Sequence, residues 1–130
     1  MPRRVGNMNK KLLMTRTLRK PETEARYVEH QRNKKSGDCY LCRAKSFREF
    51  EFWRLLPNEY PYDRIVKTHH LISLRRHADE NGLTVPEYNE LYDIKHTLRN
   101  DYDMLFENTL KRKSIREHFH IHAIEVADLD

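Results

Sequence analysis

His118-Phe119-His120-Ile121-His122 sets three imidazoles two residues apart, with an apolar residue between each pair. In an extended strand side chains alternate faces, so the histidines share one face while Phe119 and Ile121 share the other. A helix would scatter positions two apart. Ala123-Ile124-Glu125-Val126 continues with β-compatible residues, which predicts a strand. Three imidazoles on one face can coordinate a metal, or can hold one histidine as a nucleophile toward phosphorus beside two helpers. The plainer alternative is an edge strand whose histidines face water. Cys39 and Cys42 are the two cysteines of the chain, too few for a disulfide scaffold. Their spacing suits one tetrahedral Zn²⁺, which needs two more ligands, or a redox pair, around which no βαβ pattern is found.

The rest of the chain has to position these groups. At 130 residues it makes one domain, and with 38% hydrophobic and 35% charged residues its core is small and its surface polar. No apolar run reaches the roughly 18 residues of a membrane span, and no signal-like segment opens the chain, so the expectation is a cytoplasmic protein without membrane contact. Charge is unevenly placed. Residues 1–37 carry eleven Lys or Arg against three Glu, whereas the remainder carries fourteen against seventeen acidic residues. The basic arm can bind nucleic acid or another polyanion through phosphate contacts, or it can be a solvated helix against a partner subunit.

Residues 1–20 read as a loosely attached arm. Pro21 opens a helix over 21–36, with Glu22 and Glu24 in its first turn and Gly37 where a C-cap belongs. This gives an extension at 1–37 and a body at 38–130. Residues 43–50 read as a short helical turn, and strands fall at 51–56, 69–74, 102–107 and 118–126. Thr84 caps the main helix, over 84–100, whose Leu91, Ile94 and Leu98 with Tyr88 and Tyr92 read as a core stripe. The fold class is therefore α+β: an antiparallel sheet of four to five strands, one main crossing helix and a basic N-terminal helix.

Together these motifs resemble the histidine-triad (HIT) family over residues 39–126, in its zinc-containing bacterial-type branch of nucleotide hydrolases. Leu56-Pro-Asn-Glu-Tyr-Pro-Tyr62 is similar to the family's N-x-x-P stretch, which implies that Asn58 holds a ribose. His69-His-Leu-Ile-Ser-Leu-Arg-Arg-His77 is similar to the family strand that begins and ends in histidine, and Leu83-Thr-Val-Pro-Glu87 to its helix start. Asn108 resembles an active-site amide. The resemblance implies a structural Zn²⁺ on Cys39, Cys42, His77 and His118. It further implies that His120 attacks a nucleotide α-phosphate, giving a nucleotidyl-histidine that water cleaves, with His122 and His69 donating to the phosphate or leaving group. The third histidine stands where the uridylyltransferase relatives have glutamine, which favours hydrolysis over transfer. The usual glycine before the triad is missing from Lys111-Arg-Lys-Ser-Ile-Arg-Glu117, so the hydroxyl position falls on Ser114 or on Ile115. Family members pair as homodimers, for which helix 84–100 offers a surface. DNA-deadenylating members suggest a nucleic-acid-end processor as the alternative, and a non-catalytic nucleotide-binding module is the third reading.

Overall fold

The computed structural model describes residues 16–128. The elements run α1 (Pro21–Asn33), α2 (Tyr40–Arg43), β1 (Arg48–Glu49), β2 (Trp53–Pro57), β3 (Val66–Leu74), a 3₁₀ turn (Glu80–Gly82), α3 (Val85–Thr97), β4 (Met104–Phe106) and β5 (His120–Val126). The five strands form one antiparallel sheet in the order β1-β2-β3-β5-β4. The molecule is α+β, as the alternation of strand patterns with one long amphipathic segment predicts. Among the described residues no helix is long and apolar enough to cross a membrane.

Strand register separates two faces. Ile72 pairs with Leu55 and Ile121, and these residues meet Trp53, Leu74 and Phe119 beneath Leu91, Ile94 and Leu98 of α3. Trp53 Nε1–H donates to the Glu87 carbonyl at 3.0 Å, and its ring meets Phe119 edge-on at 5.8 Å, which locks α3 to the sheet. The helix opens on a capping box in which Thr84 and Glu87 satisfy each other's backbone N–H groups. The opposite face carries Leu71, Ser73, His120 and His122, covered by α2 and the N-terminal segment.

Several boundaries move. The basic arm is expected to hang loose through residue 20, yet residues 16–20 are tied down. Arg64 N–H donates to the Leu18 carbonyl (3.0 Å), Lys20 N–H to Asp63 (2.6 Å) and Arg19 Nε to the Tyr60 carbonyl (2.8 Å). These bonds span more than forty residues, so local composition carries no trace of them. Residues 1–15 lie outside the described residues. Helix α1 ends at Asn33 and not at 36, because Lys34 is already extended, and Gly37 (φ 83°) serves the turn that delivers Cys39. The helical turn expected at 43–50 lies earlier, at Tyr40–Arg43, and residues 48–49 join the sheet as β1. Helix α3 stops at Thr97, three residues short of the expected end. Its buried stripe is Glu87, Leu91, Ile94 and Leu98, so Tyr88 and Tyr92, read as core, are exposed on its flank.

Candidate functional site

His118 lies just before β5 but on the same face as His120 and His122, as the alternation requires. Its Nε2–H donates to the Leu74 carbonyl at 2.7 Å, which leaves Nδ1 bare. That nitrogen sits 3.4 Å from both Cys39 Sγ and Cys42 Sγ, and His77 Nδ1 lies 3.2 Å from Cys42 Sγ. Cys39, Cys42, His77 and His118 thus bring four ligand atoms within 4.8 Å of one another. Ligands of one tetrahedral ion of zinc's size would stand about 3.5 Å apart, sulfur to nitrogen. The cluster can hold a metal. Its outer contacts are in place as well, since the Leu74 carbonyl fixes the His118 ring, and Arg54 clamps the carbonyls of Ala44 and Leu41 around α2.

Two residues further on, the bonding of the imidazole is reversed. His120 Nδ1–H donates to the His118 carbonyl at 2.9 Å, so Nε2 carries the free lone pair. His120 and His122 line an open cavity of about 560 Å³, mouth included, with Asn58, Asn108, Ser114 and Tyr60 on its walls. Asn58, Asn108, Ser114 and the alternative Ile115 all line this one cavity.

His69 is placed differently. It does not line the cavity but stands behind His122 and is 5% exposed. Tyr62 N–H donates to His69 Nδ1 (3.0 Å), so neutral His69 keeps its proton on Nε2 and donates it to His122 Nδ1 (2.7 Å). His122 then carries its own proton on Nε2, the nitrogen nearest Asn108 (3.3 Å). Its ring packs against those of Phe106 (4.8 Å, 5° between planes) and Tyr62 (5.5 Å, 22°). The Asn108 amide donates to Tyr62 Oη at 2.7 Å, and Asn58 Oδ1 accepts from Tyr60 N–H at 2.9 Å, fixing the 58–62 loop.

Electrostatics keep these rings neutral. Burial, then the charge of Arg19 and the neighbouring histidines, lowers His69 to about 4. Burial and then His120, His69 and Arg19 push His122 lower still. Burial also lowers His120, partly offset by its bond to the His118 carbonyl. The site is an array of neutral imidazoles with one lone pair, on His120, and one N–H, on His122, turned toward open volume.

The cavity has a second wall that sequence reasoning missed. Arg19, Tyr27, His30 and Gln31, from the segment before α1 and from α1 itself, face the β5 histidines across it. The clue available was the clustering of Tyr27 and His30 one turn apart on α1, opposite Tyr60 (ring centroids 5.7 and 5.2 Å). In comparison with known proteins, the chain matches no family model and no curated protein.

Proposed function

We propose that the protein is a histidine-triad nucleotide hydrolase that cleaves a phosphoanhydride or phosphoramidate at a nucleotide α-phosphate. The observation that carries this reading is the His120 ring, with Nδ1–H held by the His118 carbonyl and Nε2 on the cavity wall. A neutral imidazole fixed in that tautomer is a competent nucleophile near neutral pH.

In the first half-reaction the Nε2 lone pair forms a bond to phosphorus. The bond from phosphorus to the leaving group breaks, and its electron pair departs with that group, which in the phosphoramidate case takes up a proton from solvent and leaves as the amine. The His120 ring becomes cationic, which strengthens its hydrogen bond to the His118 carbonyl. His122 Nε2–H donates to the charge growing on the phosphoryl oxygens or on the leaving group, without surrendering its proton. His69 acts through His122, holding its tautomer, and is a positioning residue. In the second half-reaction water oxygen bonds to phosphorus, the P–N electron pair returns to Nε2, and the water proton passes to solvent. Asn58, Asn108 and Ser114 supply polar groups for the ribose and phosphate.

Cys39, Cys42, His77 and His118 would hold a structural Zn²⁺, which closes four ligands around itself and supplies fold stability, not reaction chemistry. His118 ties that site to the nucleophile, since its ring faces the cysteines while its carbonyl holds His120.

The test is turnover of adenosine 5′-phosphoramidate and of a diadenosine polyphosphate by the wild type and His120→Asn. The variant should lose AMP release by roughly 10⁴-fold or more while binding AMP nearly as well. Turnover retained in His120→Asn would remove the nucleophile from this reading.

A further inference from the structure

Among the described residues lining the cavity, Arg19 is the one permanent cation. It is well held. Its guanidinium lies 3.9 Å over the Tyr27 ring and 5.1 Å from the Tyr62 ring, and Nε donates to the Tyr60 carbonyl at 2.8 Å. Of its five N–H donors, the described residues occupy that one and make a longer contact of 3.5 Å from Nη1 to Glu24. The side chain is 13% exposed and lines the cavity.

Glu59 is the one carboxylate on the wall among the described residues, and Arg19 the one guanidinium. An anionic group therefore belongs beside Arg19.

We propose that Arg19 is the phosphate-binding cation of this cavity, its free guanidinium N–H groups donating to non-bridging phosphoryl oxygens of a ligand placed against His120 and His122. The strap of residues 16–20 is then part of the binding site and not a tether, and the bonds from Lys20 to Asp63 and from Arg64 to Leu18 hold it there. That the ligand is a nucleotide rests on the reading given above. That it is a phosphate-bearing anion rests on Arg19 itself.

The experiment titrates AMP, adenosine and inorganic pyrophosphate into the full chain, as wild type, Arg19→Gln and Arg19→Lys, with the melting temperature of each recorded. Wild type should prefer AMP over adenosine by at least about tenfold. Arg19→Gln should lose about 10–100-fold in AMP affinity, the range of one or two hydrogen bonds to a charged partner, with adenosine within about twofold of wild type. Arg19→Lys, which keeps the charge but not the fork, should lose less. An equal loss for AMP and adenosine, with a lower melting temperature, would make Arg19 a structural anchor and overturn the proposal. So would a wild type with no preference for AMP. Pyrophosphate separates the two readings: if no adenosine compound binds, stabilisation of wild type by pyrophosphate that Arg19→Gln abolishes sustains the anion site while the nucleotide reading falls. Absence of that stabilisation removes both.

Discussion

His118 and His120 lie two residues apart on one face and present opposite nitrogens. His118 gives Nε2 to the Leu74 carbonyl and turns Nδ1 to the cysteines. His120 gives Nδ1 to the His118 carbonyl and leaves Nε2 to the cavity. Residue type and burial are nearly the same in the two cases, so neither separates their chemistry. The position of one backbone carbonyl does, by choosing which nitrogen keeps the proton. The surroundings follow the same division. The first ring meets two sulfurs and a second imidazole, a closed set of four donors; the second faces open volume bounded by amides and a hydroxyl. One ring belongs to a cluster that can hold a metal, the other to the wall of a cavity.

The comparison is most easily broken at the cluster. Cys42→Ser should lower bound zinc from about one per chain to none and destabilise the protein by several kcal/mol, since zinc binding in such small folds is folding free energy. His120→Asn should change neither zinc content nor melting temperature by much. Elemental analysis and denaturation of the two variants check this, and a cavity variant that sheds zinc would merge the two regions into one.

Acid sharpens the division more gently. His69 has an ordinary value near 6.5 when unfolded and about 4 when folded, so below 6.5 the unfolded chain binds the extra proton. Stability present above pH 6.5 is therefore lost as pH falls toward 4, by up to about 1.4 kcal/mol per unit. Urea denaturation at pH 7.5 and 5 should show a smaller drop in His69→Asn than in wild type. Because both proteins keep the cluster, loss of zinc cancels in the difference, and equal drops would deny His69 its buried neutral state.

The smallest expected effect lies on the far face of the sheet. Thr84→Ala removes the hydroxyl that caps α3 and should cost about 1 kcal/mol, with zinc content and turnover unchanged. A loss of turnover there beyond the stability cost would mean that the helix face and the site face are coupled.

How much of this the chain announces depends on how local the cause is. The histidine alternation, the two-residue gap between the cysteines and the Thr84–Glu87 cap are short-range patterns, and each marks the element it occupies. The convergence of Asn58, Asn108 and Ser114 on one cavity was legible only through the family resemblance, because the three residues come from separate loops. Tyr88 and Tyr92 were misread because helical spacing gives a stripe without fixing its width, and the short strand β4 leaves that flank of α3 uncovered. Arg19 was missed for the opposite reason. A basic residue in a basic run looks solvated, and only the fold reveals Tyr27, Tyr60 and Tyr62 waiting around it. Likewise His69 reads as one more donor to the phosphate until the 2.7 Å bond to His122 puts it behind the wall.

The central claim is that His120 Nε2 becomes bonded to phosphorus. Intact mass measured after brief mixing with adenosine 5′-phosphoramidate, quenched at alkaline pH where phosphohistidine survives, tests it directly. A mass gain of one AMP in wild type, absent in His120→Ala, is the predicted result. AMP release with no adduct at any mixing time, or an adduct that persists in His120→Ala, would contradict it.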